Sequence, residues 1–123
     1  TDLLDVLSAC IDGRLGPLEV AWRPGAAATV VLASGGYPGP YEQGLPIHGL
    51  AGMPASVTVF HAGTGMLEEN VVTRGGRVLN VTATGADLSE ALARAYAGVS
   101  AIHFDGMHFR TDIGGHSAPG VAP

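Results

Sequence analysis

The segment Thr29-Val30-Val31-Leu32-Ala33 runs straight into Ser34-Gly35-Gly36-Tyr37-Pro38-Gly39-Pro40-Tyr41. The first five residues are apolar or β-branched, the pattern of a strand that fills the middle of a sheet. Gly35-Gly36 frees the backbone to take a positive φ or to approach another segment closely. Pro38 and Pro40 fix φ and remove two amide donors, so the strand must stop and the chain must leave along a stiff path. Two readings stand for the loop. One is a tight turn at a sheet edge, which composition alone favours; the other is an exposed contact surface.

Two further β-prone regions follow. Ser56 to His61 alternates as a strand does, and His61-Ala62-Gly63-Thr64-Gly65 then turns. The glycines there suggest a phosphate-cradling loop, but the lysine and the following hydroxyl of a P-loop are missing. His61 reads as a hydrogen-bonded structural residue. Asn70 to Ala83 reads as a hairpin, with Val71-Val72-Thr73 and Val78-Leu79-Asn80-Val81-Thr82 joined by Arg74-Gly75-Gly76-Arg77. Two guanidinium forks beside two glycines suit a phosphate. An ordinary Gly-Gly turn with solvated arginines fits the same residues equally well.

Helical periodicity marks two segments. Asp2 to Leu15 carries Leu3, Leu4, Leu7, Ala9, Cys10 and Ile11 on one stripe, and Gly13, Gly16 and Pro17 stop it. Cys10 is read there as a buried small hydrophobe, and Trp22, just beyond, as a packing residue. Asp87 to Ser100 places Leu88, Ala91, Leu92, Ala95, Tyr96 and Val99 on one face, with Asp87 and Glu90 at capping-box spacing. Between the regions, Gln43 to Ala55 is a turn-rich surface connection bearing a solvated His48. His103 and His108 lie five apart around a turn but lack further ligands at recognised spacing, so no metal site is assigned. Two helices, about four strands and no β-α-β rhythm predict an α+β fold with a small, largely antiparallel sheet.

The bulk numbers narrow the function. A length of 123 residues suits a single domain, and a net charge of −5 argues against a nucleic-acid surface. No apolar run reaches membrane-spanning length. Cys10 is the only cysteine, which excludes an internal disulfide and fits a reducing, cytoplasmic setting. Lysine is absent, so all six permanent side-chain cations are arginines and each is a candidate for a specific role. The chain opens at Thr1 directly into a helix with no leader pattern, which fits a domain of a longer protein and fits a processed or partly ordered chain as well.

Four ordered blocks carry a family resemblance. They are Ala33-Ser34-Gly35-Gly36-Tyr37-Pro38-Gly39, Val59-Phe60-His61-Ala62-Gly63-Thr64, Gly75-Gly76-Arg77-Val78-Leu79-Asn80-Val81-Thr82-Ala83 and Arg110-Thr111-Asp112-Ile113-Gly114. Together they resemble the C-terminal domain of the phosphoribosylamine–glycine ligases (glycinamide ribonucleotide synthetases) of the ATP-grasp group. The resemblance implies a hybrid-motif-like sheet in a domain over residues 1–114 and a parent enzyme of purine biosynthesis; the remaining residues 115–123 read as a mobile tail. Such a parent uses ATP and Mg²⁺ to activate glycine's carboxylate as an acyl phosphate, which the amine of phosphoribosylamine attacks.

This chain lacks the acidic Mg²⁺-binding run and the nucleotide-clamping lysines of that family. It is therefore expected to be inactive alone, to hold no catalytic residue, metal or cofactor of its own, and to need the ATP-grasp core of the same parent. By the resemblance, Arg77, together with Arg74 at a more variable position of the family pattern, would meet the 5-phosphate of phosphoribosylamine. Ser34, Gly35, Gly36, Tyr37 and Pro38 would border the same acceptor pocket. Gln43 stands where many members have lysine, so no charge role is assigned there. The apolar face that rests on the core would be exposed and would favour self-association. The competing reading is a stand-alone binding module with glycine-rich contact loops. A small hydrolase or metal enzyme has no nucleophile elbow, Cys/His pair or carboxylate dyad to support it.

Overall fold

The structure, a computed structural model, describes residues 1–115. The reading of 115–123 as a tail falls outside the described residues except at Gly115, which ends a short 3₁₀ turn, Ile113–Gly115. In chain order the elements are helix α1 (Leu3–Ile11), strands β1 (Ala26–Ala33), β2 (Val57–His61), β3 (Thr64–Leu67), β4 (Asn70–Thr73) and β5 (Arg77–Gly85), and helix α2 (Leu88–Ala101). Strands β1, β5 and β2 form one antiparallel sheet in that order, and β3 and β4 form a second, two-stranded sheet. The α+β class and its antiparallel character are as the sequence predicts. None of the helices among the described residues is long and apolar enough to cross a membrane.

The core lies between the larger sheet and α2. Ala28, Val30 and Leu32 of β1 and Val78, Leu79, Val81 and Ala83 of β5 are buried with Ala91, Leu92, Ala95, Tyr96 and Val99 of α2. Small residues let the helix sit close. A Cβ at Gly98 would lie 2.9 Å from Val57 Cγ1 and 3.0 Å from Val81 Cγ1. Phe104, fully buried, and Ile102 close the end of the core beyond α2. The helix is started by Asp87, whose Oδ1 accepts from the Glu90 amide at 2.9 Å. The reciprocal bond of the capping box is displaced by one residue: Glu90 Oε2 accepts from the Ala86 amide at 2.6 Å.

Four expectations are corrected. First, β1 is not the middle strand; it lies at the sheet edge and β5 takes the centre. Its burial alternates, with Thr29 and Val31 on the outer face, and the Thr29 hydroxyl pairs with that of Thr82 at 2.8 Å. Second, Val71–Thr73 and Val78–Thr82 do not form a hairpin. Both edges of β5 are occupied, by β1 and β2, so β4 pairs with β3 instead. The β3–β4 hairpin turns at Glu68-Glu69 with Glu68 at φ 53°, a left-handed position without the glycine that would have announced it.

Third, the first helix ends at Ile11, and it is not packed on the core. Leu3, Leu4, Leu7 and Ile11 are 69%, 70%, 51% and 87% exposed, and Cys10 is exposed with them. The amphipathic pattern is real, but among the described residues only Ala9 of its apolar stripe is buried. Fourth, Trp22 is 88% exposed and not a packing residue. The outer face of the larger sheet, with Val31 and Phe60, is likewise bare.

Candidate functional site

The site grows from the end of β1. Ala33 is held by a pair of backbone bonds to His108, at 2.9 and 3.0 Å. Ser34, 1% exposed, then makes three bonds. Its amide donates to Gly76 O at 2.8 Å, its hydroxyl donates to Gly75 O at 2.9 Å, and its carbonyl accepts from the Tyr37 amide at 3.1 Å. The loop and the Arg74–Arg77 turn are therefore clamped together from within. Gly35 lies against Gly106, where a Cβ would be 2.8 Å from the Gly106 oxygen. Gly36 takes φ 94°, with the Pro40 carbonyl where a side chain would be. The Tyr37–Pro38 peptide bond is cis, and the Tyr37 ring meets that of Tyr41 edge-on at 6.3 Å.

Tyr37 covers Gly76. A Cβ on Gly76 would overlap the ring edge at Cδ2 and lie 2.5 Å from Cε2. The other side of the turn is held by Gly63, whose amide donates to Arg77 O at 2.9 Å and whose carbonyl accepts from the Arg74 amide at 2.7 Å. Here the chain leaving β2 crosses the chain leaving β4, and a Cβ on Gly63 would lie 2.6 Å from Gly75 Cα. Only paired glycines allow two backbones so close.

These contacts frame a cleft of about 640 Å³, lined by Tyr37, Ala62, Gly63, Gly76, Arg77 and Asn80. Asn80 pairs across the sheet with Val31 and Phe60, so the cleft opens beside the bare outer face. Of the residues singled out from sequence, the structure brings Tyr37, Gly76 and Arg77 together in it. Ser34 lies beneath, buried. Gly35 lines a separate small hollow with Glu42, Leu45, Asp105 and Gly106. Arg74 points away: its side chain lies over Gly65 of β3, where a Cβ would be 2.6 Å from Nε. Asn80 was not singled out; a polar residue within the β-prone run Val78–Thr82 is the signal that could have found it.

The cations sort themselves by partner. Arg14 pairs with Asp12, Arg94 with Glu90 and Arg110 with Asp112. The Arg110 fork, hydrogen-bonded through two nitrogens at 2.8 and 2.7 Å, holds the Asp112 carboxyl below its usual range. Arg23, Arg74 and Arg77 have no carboxylate within ion-pair distance among the described residues. Arg77 is thus an uncommitted guanidinium on a polar cleft, suited to an anion that accepts two parallel hydrogen bonds.

The described histidines do not converge on the cleft. His48 and His103 pair through their backbones at 2.8 and 3.1 Å, while His61 Nδ1 meets Thr64 Oγ1 at 3.0 Å. Among the described residues no three His, Cys, Asp or Glu side chains gather as a metal site.

The chain has relatives among known proteins. Residues 27–116 match the family model for the phosphoribosylglycinamide synthetase C domain. A phosphoribosylamine–glycine ligase of Nostoc is 52% identical over 117 residues, which are 93% of this chain and 28% of that protein. The chloroplastic phosphoribosylamine–glycine ligase of Arabidopsis thaliana is 49% identical over 118 residues, 93% of this chain and 22% of that protein. The crystal structure of phosphoribosylamine–glycine ligase from Thermotoga maritima superposes with a TM-score of 0.71 at 36% identity, over 86% of this chain and 26% of that one. The chain thus spans roughly a quarter of the length of these relatives, 28% of the first. With the match running through β1, the Gly75-Gly76-Arg77 turn and α2, the chain belongs to the phosphoribosylglycinamide synthetase C-domain family.

Proposed function

We propose that this chain is the C-terminal domain of a cytoplasmic phosphoribosylamine–glycine ligase and supplies the acceptor side of its active site. The observation that carries the reading is Arg77, a guanidinium without a carboxylate partner among the described residues, on a polar cleft within the family-matched region. In this reading Arg77 binds the 5-phosphate of phosphoribosylamine, with Tyr37 and Asn80 beside it. Fixing the phosphate fixes the distant amine, so that it meets the activated carboxylate of glycine in one geometry. ATP and Mg²⁺ belong to the rest of the parent. The donor set here does not fit them: the chain has no lysine, and no acidic cluster gathers among the described residues.

The purified 123-residue chain, given ATP, Mg²⁺, glycine and phosphoribosylamine, is expected to form no glycinamide ribonucleotide. A full-length ligase lacking residues 27–116 should also form none. Product from the chain unaided, or undiminished ligation by the truncated parent, rejects the reading.

The bare stripe of α1 has a place in the same scheme. Leu3, Leu7 and Cys10 follow helical spacing, and the relatives carry about three-quarters of their length outside the matched region. The stripe rests on that remainder in the parent. In the isolated chain Cys10 should react with a thiol reagent at the rate of a free cysteine, and in the full-length enzyme it should be protected. The uncovered stripe should also raise the mass seen by light scattering as concentration rises. A strict monomer at high concentration rejects self-association, and equal labelling in both forms rejects the docking.

A further inference from the structure

We propose that Ser34 is a positioning residue for Arg77: it never touches the acceptor, but it holds the turn from which Arg77 reaches it. The inference rests on the acceptor-phosphate reading above. Ser34 is one of two buried polar residues in the chain's described core, the other being Thr73. At 1% exposure its hydroxyl cannot reach a ligand in the cleft. Its three bonds all go to the site's own backbone, two of them to consecutive carbonyls, Gly75 and Gly76, immediately before Arg77.

A turn with two glycines is otherwise the most permissive backbone in the chain. Gly63 fixes its outer side through Arg77 O and the Arg74 amide. The inner side has only Ser34 and, above it, the Tyr37 ring on Gly76. The Ser34 carbonyl in turn holds the Tyr37 amide, so one residue fixes both the floor and the wall of the cleft. Ser34 is itself anchored, because the preceding Ala33 is tied to His108 by two bonds. Losing the hydroxyl leaves the Gly75 carbonyl without that donor and lets the turn spread over several conformers. Arg77 then pays an ordering cost each time it binds an anion.

The test uses the full-length ligase with Ser34→Ala, Arg77→Ala and the double variant, reading KM for phosphoribosylamine, glycine and ATP, kcat, and thermal midpoint. Ser34→Ala is expected to raise KM for phosphoribosylamine roughly 3- to 10-fold, the worth of one hydrogen bond. KM for glycine and ATP should stay within about twofold. In the Arg77→Ala background the Ser34 substitution should add almost nothing, because its effect passes through Arg77.

Ser34→Cys, of similar size but a weak donor, should behave as alanine does, and it replaces Ser34→Ala if that variant does not fold. An unchanged KM in Ser34→Ala, an effect undiminished in the Arg77→Ala background, or a parallel rise for all three substrates overturns the positioning role while leaving Arg77's own role standing. If Arg77→Ala alone leaves KM for phosphoribosylamine unchanged, the acceptor-phosphate reading fails and this inference fails with it.

Discussion

Arg77→Ala in the full-length ligase should raise KM for phosphoribosylamine by roughly 10- to 100-fold, with KM for ATP and glycine within about twofold. A hydrogen bond to a charged group contributes about 1.5–3 kcal/mol, and each 1.4 kcal/mol is a factor of about ten. Arg77 has no carboxylate partner among the described residues, so its removal breaks no ion pair and leaves no buried charge behind. The loss is therefore a loss of binding, not of folding. Arg77→Lys keeps the charge but not the planar fork, and should recover only part of the effect. Arg74→Ala is the internal control. Its side chain lies over Gly65 and outside the cleft, so its effect should be severalfold smaller. Steady-state kinetics on the three variants decide the matter. Equal losses for every substrate would point to damaged folding and would remove Arg77 from the site.

Gly49→Ala should be the most damaging glycine substitution outside the cleft, costing about 3 kcal/mol or more. Gly49 has φ +83°, which alone costs an L-residue roughly 1–2 kcal/mol. A Cβ there would also overlap the carbonyl oxygen of Ala101 and lie 2.8 Å from its carbon. That carbonyl ends α2, and the next residues, Ile102 to Phe104, enter the core and pair with His48. The obstacle is backbone and cannot swing aside, so overpacking adds a further 1–3 kcal/mol or so. For a domain of this size the melting temperature should fall by roughly 10 °C or more. Gly44 and Gly52 separate the two causes. Both have φ +82° and nothing within 4 Å of a Cβ, so Gly44→Ala and Gly52→Ala should show the strain alone. Thermal melts of the three proteins test this, and equal shifts would show that the Ala101 contact carries no cost.

Local chemistry made some of the fold readable in advance. The 3.6-residue spacing of Ala91, Leu92, Ala95, Tyr96 and Val99, with Asp87 ahead of it, specifies α2 and its start from neighbours in sequence. The alternation of β2 and the stop imposed by Gly35-Gly36 are equally local. Strand pairing is not. Residues 71–73 and 78–82 look like two arms of a hairpin, and only the prior claims of β1 and β2 on β5 forbid it. The β3–β4 turn hides because Glu68 takes a left-handed φ without glycine's signature. For α1 the pattern was visible and its cover was not, since periodicity names an apolar face without naming what lies on it.

The cleft divides in the same way. Arg77 stands out as a guanidinium beside two glycines, in a chain with no lysine. Arg74, its apparent twin in sequence, departs because the turn ends β4 on one side and begins β5 on the other, sending the two side chains to different sheets. The reach of Ser34 to Gly75 and Gly76 spans some forty residues of chain, |i−j| = 41 for the hydroxyl, and no local pattern encodes it.

The crossing of Gly63 over Gly75 limits how this protein can drift in sequence. Each position is barred from gaining even a methyl group by the other's main chain, so no change of side chain at one can make room at the other. A lineage that once let the strands part at that point would lose the tether between its two sheets, and no second substitution at the partner position could restore it.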